Sequence, residues 1–214
     1  AMPTRLQPCF APDEIEARSF AIIDAEAGDP KPFTGRLWHV ARRLVHTCAD
    51  FDILPDLVLD DAGVDAGIAA IRAGASIFTD TEMARCGMVA RRFAPFGCTV
   101  ESLISLPGVA ERARSTGSTR SAAAVALAGE RLGGAIVAIG NAPTAVLALL
   151  DHLDKGGPAP ALVVGMPVGF VNAAESKELL LERCPVPHIA LRGRKGGSTL
   201  AAATVNALAI LAAE

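Results

Sequence analysis

Four segments of the chain gather glycine, hydroxyl or basic residues in a way that suits the binding of negatively charged groups. Three are loops, Gly140-Asn141-Ala142-Pro143, Gly165-Met166-Pro167-Val168-Gly169-Phe170-Val171-Asn172 and Gly193-Arg194-Lys195-Gly196-Gly197-Ser198, each lying between an apolar run and an amphipathic one. Backbone N–H groups at a helix start lack intrahelical acceptors and carry the positive end of the dipole, so such loops offer donors to carboxylates or phosphates. Glycine lets a backbone approach a ligand closely, and proline in a first helical turn costs no hydrogen bond. The fourth segment, Ser115 to Ala123, adds the hydroxyls of Thr119 and Ser121 and the guanidinium of Arg120, which can clamp a carboxylate in bidentate fashion. With Arg194 and Lys195 at a neighbouring loop, the ligand described is polyanionic and larger than a single phosphate.

A candidate acid or base lies far away in sequence. At roughly 100° per residue, Leu37, Trp38, Val40, Ala41, Leu44, Val45 and Cys48 share one arc of a helix expected from an N-cap at Thr34 to about Asp50. His39, Arg43, His46 and Asp50 line a narrow stripe opposite, which faces solvent, a cleft or a partner subunit. His46 is the candidate proton donor or acceptor, because imidazole exchanges a proton most readily near neutral pH. His39, His152 and His188 take structural readings. Asp80 and Glu82 follow a strand and open a helix, where acids commonly serve as partners of the dipole.

Each feature also has an ordinary reading. Glycine caps occur throughout α/β proteins, and histidines on polar helix faces are mostly solvated. The coincidence of three loops with the Arg120 segment is what favours a site. Neither G-x-G-x-x-G nor G-x-x-x-x-G-K-[ST] is present, so a standard dinucleotide or P-loop site is unsupported. There is no Ser-His-Asp order, metal-ligand cluster or paired catalytic carboxylate, and neither a metal nor another cofactor is expected.

The elements that must position these groups follow from periodicity. A helix is expected from about Asp13 to Ala27, with Gly28 as its stop, and another from about Asp61 to Ala73, ending at Gly74. Strands are expected at Ala75–Thr79, Cys98–Ile104, Ala135–Ile139, Ala161–Val164 and His188–Leu191, with Pro107 in the first turn of a short helix after the second. Each of the last three strands leads into a glycine loop and a helix. This alternation implies βαβ crossovers: an α/β fold, with a mostly parallel sheet, helices on both faces and a single domain over residues 2–214. Ala1 ahead of Met2 is set aside as an expression remnant. In such sheets ligands bind beyond the carboxyl ends of the strands.

Composition excludes several classes. Hydrophobic residues at 51% against 20% charged are too apolar for disorder, and a net charge of −3 supplies no field to attract nucleic acid or an anionic membrane. The cysteines (Cys9, Cys48, Cys86, Cys98, Cys184) are odd in number and form no C-x-x-C pair, so reduced thiols and a cytoplasmic location are expected. No stretch approaches the roughly 20 apolar residues of a membrane helix, and no signal-peptide pattern is present.

Seven motifs in order carry a resemblance: Arg18-Ser19-Phe20-Ala21-Ile22-Ile23, Arg43-Leu44-Val45-His46, Asp80-Thr81-Glu82-Met83, Thr119-Arg120-Ser121-Ala122-Ala123, Gly140-Asn141-Ala142-Pro143-Thr144-Ala145, Gly165-Met166-Pro167-Val168-Gly169-Phe170-Val171 and Arg192-Gly193-Arg194-Lys195-Gly196-Gly197-Ser198. From about residue 13 onward the chain resembles the precorrin-8X methylmutase family. The resemblance implies an isomerase of cobalamin synthesis that moves a methyl group from C-11 to C-12 of a corrin precursor to give hydrogenobyrinate or its cobalt form. It implies His46 as the proton donor or acceptor and Ser19 and Arg43 as substrate contacts. It also implies a homodimer with sites at or near the subunit interface. A corrinoid fringed with carboxylates, with one apolar face, suits the loops: helix starts and arginines for the first, Met166, Val168 and Phe170 for the second. One departure is Gly117-Ser118-Thr119-Arg120, where the family commonly has Gly-Asn-Thr-Arg.

Two other readings stand beside this one. A corrinoid or tetrapyrrole carrier binds the ring without converting it, and a nucleotide-dependent α/β transferase uses the same loops for phosphate.

Overall fold

A computed structural model describes residues 11–214; Ala1, Met2 and Cys9 lie outside them. In chain order the elements are α1 (Pro12–Glu26), α2 (Gly35–Cys48), β1 (Leu57–Val58), α3 (Asp61–Arg72), β2 (Ile77–Thr79), α4 (Glu82–Gly87), α5 (Ala90–Phe93), β3 (Val100–Ser102), α6 (Val109–Thr116), α7 (Arg120–Ala128), β4 (Ile136–Ile139), α8 (Pro143–Asp154), β5 (Leu162–Gly165), α9 (Ala173–Arg183), β6 (His188–Leu191) and α10 (Ser198–Ala212). The strands form one six-stranded sheet in the order β1-β6-β5-β4-β2-β3. All neighbours run parallel except β1, which pairs antiparallel with β6.

Side chains alternate faces along a strand, and both faces of this sheet are covered. Ile136 and Ala138 of β4 enter one core while Val137 and Ile139 enter the other, and Leu162 and Val164 are likewise separated from Val163 in β5. The first core is closed by α2, α3 and α10, the second by α7, α8 and α9. Helix α10 packs on α2, α3 and α4 and is buried on nearly all sides, which its run of alanines allows. Its one buried amide, Asn206, accepts from the Val89 N–H and donates to the Gly87 carbonyl, both at 2.9 Å.

The strand at Cys98–Ile104 is shorter than expected, because a 3-10 turn at Leu103–Ser105 ends it. Pro107 stands just ahead of α6, whose N-cap is Gly108 in the left-handed region. The short β1 was not expected from the sequence; two residues carry too little periodicity to be seen. No helix among the described residues is long and apolar enough to cross a membrane.

Candidate functional site

Following β2, the chain crosses to β3 on one side, while β4 lies on the other. The loops after β2 and β4 therefore flank the point where strand order reverses, the usual ligand crevice of an open α/β sheet. Here the protein fills that crevice itself. Asp80, 2% exposed, accepts hydrogen bonds from the backbone N–H groups of Gly140 (3.0 Å), Asn141 (2.8 Å) and Ala142 (2.8 Å). The donors that Gly140-Asn141-Ala142-Pro143 was expected to offer a ligand are thus taken by an internal carboxylate at the start of α8. From the sequence Asp80 is expected as a partner of its own helix dipole, because nothing there places it beside residue 140.

The glycines at this edge serve packing between loops. A Cβ on Gly140 would stand 2.6 Å from Ser198 Cα, and one on Gly196 would stand 2.2 Å from the Met166 carbonyl oxygen. Gly197 N–H donates to that same oxygen at 2.8 Å, Gly169 N–H donates to the Arg194 carbonyl at 3.1 Å, and the Thr81 and Ser198 hydroxyls meet at 2.9 Å. Gly165 and Met166 are buried, and Met166 accepts through sulfur from Thr204 Oγ1 at 3.6 Å.

Other groups at the edge stay open. Thr119 caps α7 through Ala122 N–H (3.2 Å) and donates to Thr144 Oγ1 (2.9 Å), so the starts of α7 and α8 lie side by side. Arg120, the next residue, is exposed and forms no ion pair among the described residues, and Ser121 is half-buried beside it. Ser118, at the departure from the family pattern, shares a 2.8 Å hydrogen bond with Thr116. The side chain of Asn141 is exposed. After β5, Val168 (44%), Phe170 (82%) and Val171 (80%) stand out from the surface, with the Arg194 guanidinium 5.4 Å from the Phe170 ring centre. Val168 and Phe170 are thus available to an apolar ligand face and Met166 is not, since the chain turns outward only after Pro167.

Amphipathy builds the second half of the site. Trp38, Val40, Ala41, Leu44 and Val45 are buried, Leu37 is half-buried and Cys48 exposed. Thr34 holds the N-cap position, although its hydroxyl makes no cap bond. Ala49, at φ 53°, turns the chain out of the helix. Helix α1 crosses this surface, and with the end of α2 it borders a hollow of about 400 Å³ lined by Ser19, Ile22, Val45, His46, Ala49 and Phe51. The exposed His46 ring packs 5.2 Å from the Phe20 ring, over which the Arg42 and Arg43 guanidinium groups also lie, at 4.3 and 4.9 Å. Arg43 pairs with Glu16 (3.1 Å), and Ser19 Oγ donates to the Ile15 carbonyl (2.8 Å). Asp24 ties the helices by accepting from Trp38 Nε1 and Arg42; burial alone would raise its pKa, and these bonds instead hold it below the usual carboxylate value. His39, on the same stripe, is half-buried with its Nε2 unpartnered, and burial, then Arg43 and Arg42, push its pKa down.

Among the described residues, one ion pair joins the two halves. Lys195 of the β6–α10 loop donates to Asp50, just past the end of α2, at 2.5 Å. This bond raises the Lys195 pKa and lowers that of Asp50. Lys195, expected to meet a substrate carboxylate, thus already has one, while Arg120 and Arg194 have none. The fold thereby brings the end of α2 to the loop between β6 and α10.

Residues 14–211 match the precorrin-8X methylmutase family. The chain belongs to this family. It is 46% identical over 196 residues to the precorrin-8X methylmutase of a Sinorhizobium species, covering 91% of this chain and 92% of the relative. It is 41% identical to the cobalt-precorrin-8 methylmutase of Priestia megaterium, covering 94% of this chain and 88% of that one. A solved structure of precorrin-8x methyl mutase from Thermus thermophilus superposes with a TM-score of 0.84 at 46% identity, covering 93% of this chain and 97% of the other. The chain is therefore an enzyme, an isomerase of this family, with the α/β fold expected from its sequence.

Proposed function

We propose that this precorrin-8X methylmutase acts in cobalamin synthesis on precorrin-8X or its cobalt form, moving the methyl group from C-11 to C-12 of the corrin ring. The observation that carries the reading is the exposed His46 imidazole beside Ser19 in an open hollow, joined by the Asp50–Lys195 bridge to an edge bearing the unpaired Arg120 and Arg194. The arginines hold peripheral carboxylates, with Ser121 and the Asn141 side chain beside them, while Val168 and Phe170 lie against the apolar face. Ser19 and Arg43 contact the substrate next to His46. Gly140, Gly165, Met166 and Gly169 act by fixing the loops, as does Thr119 by capping α7.

His46 delivers a proton to the macrocycle, which becomes electron-poor. The bond from methyl to C-11 then breaks as the bond to C-12 forms, and the proton returns to the imidazole. Atoms and electrons balance within one molecule, so the protein has to orient the ring and exchange one proton. We place the reaction in the cytoplasm and in a homodimer.

His46→Ala tests the assignment. Conversion of precorrin-8X, followed by its visible spectrum, is expected to slow by about 10²–10⁴-fold, with the melting temperature unchanged because the side chain is exposed. Conversion at the unmutated rate would remove His46 from the chemistry. A wild-type protein that binds hydrogenobyrinate but converts nothing would be a carrier, and one that binds nucleotides instead would be a transferase.

A further inference from the structure

Lys177 of α9 is a lysine with no exposed surface, an uncommon state for an ammonium group. Among the described residues its Nζ has one hydrogen-bond partner, the backbone carbonyl of Lys195 at 2.7 Å. The peptide joining Lys195 to Gly196 is trans, so its N–H points opposite to its carbonyl. With the carbonyl drawn inward onto Lys177, the Gly196 N–H is aimed away from the buried ammonium. None of the backbone N–H groups of residues 193–196 has an acceptor among the described residues.

We infer that Lys177 is a positioning residue: its buried charge orients and polarises the 195–196 peptide so that the Gly193–Gly196 backbone presents donors to a carboxylate of the substrate. This deepens the function proposed above and rests on it. An ammonium on the carbonyl side of a peptide strengthens the donor on the other side, and a preorganised donor costs no rearrangement when the anion arrives. Burial lowers the Lys177 pKa to about 8, against the pull of Asp56 and Glu178. Of the charges around it, Glu178 is paired with Arg192 and Lys195 with Asp50, while Asp56 acts on Lys177 through space and forms no ion pair among the described residues. Desolvating an ammonium for a single hydrogen bond and no ion pair stabilises a fold poorly. Its presence therefore points to the loop it orients.

The test uses the full chain. In the free wild-type protein, the Gly196 amide resonance is expected to move with pH around 8, and in Lys177→Met to lose that dependence. With precorrin-8X, Lys177→Met and Lys177→Gln are expected to raise KM about tenfold with kcat within about twofold, and Met to change the melting temperature at neutral pH little, because the relieved desolvation of the ammonium offsets the carbonyl left unpaired. Gln, which keeps a donor without a charge, serves if Met fails to fold. A Gly196 resonance indifferent to pH, or an unchanged KM with a lowered melting temperature, overturns the inference. If the wild-type chain fails to convert precorrin-8X, the proposed function falls, and the Gly196 titration still decides the role of Lys177.

Discussion

Two helix starts at the same sheet edge show how differently one motif type is used. Ahead of α8, the three N–H groups of Gly140, Asn141 and Ala142 are closed by the buried Asp80 carboxylate. The start of α7, tied to that of α8 through Thr119 and Thr144, carries an exposed arginine with no ion-pair partner among the described residues. At the first, the crevice that many α/β proteins give to a ligand is part of the scaffold. At the second, positive charge is left for something outside the chain. A glycine-rich loop before a helix therefore identifies an anion site without saying whether the anion belongs to the protein.

The largest expected effect breaks the closed side. Asp80→Ala leaves three backbone donors unpaired, those of Gly140 and Ala142 in buried surroundings, and is expected to lower unfolding free energy by about 3 kcal/mol or more in chemical denaturation. Formate should restore part of that loss better than chloride at matched ionic strength, since it can occupy the vacated carboxylate position; equal effects of the two salts would show that Asp80 acts otherwise than as an internal anion. On the open side, Arg120→Ala is expected to leave stability unchanged and to raise KM for precorrin-8X about tenfold through one lost charged contact. A drop in melting temperature with normal KM would reverse the contrast.

A smaller effect distinguishes two histidines of one helix stripe. Burial, with Arg43 and Arg42, holds the folded pKa of His39 below its ordinary 6.5. Between those values the unfolded chain binds the extra proton, so this contribution is complete above about pH 6.5 and is lost as pH falls through that range. His39→Gln is expected to flatten the fall in melting temperature between about pH 7 and pH 5. An unaltered slope would assign that acid sensitivity to other groups.

The sequence determined the alternation of strands and helices, because apolar period and glycine punctuation are local properties. His188–Leu191 is a strand as expected, and the α2 stripe places His46 on the outer face of its helix. Membership of the family was also legible, since seven short motifs in a fixed order survive without knowledge of their contacts. Tertiary structure alone decided which of those residues are spent within the protein. Asp80 lies 60 residues from Gly140 and Lys195 lies 145 from Asp50, so no local period connects them. Lys177 appears in sequence as one charge on an amphipathic helix, and its burial beneath the loop follows from where α9 docks beside β6. Hydrogen-bond donors and charges are properties of residues, but their availability depends on which neighbours the fold brings within reach.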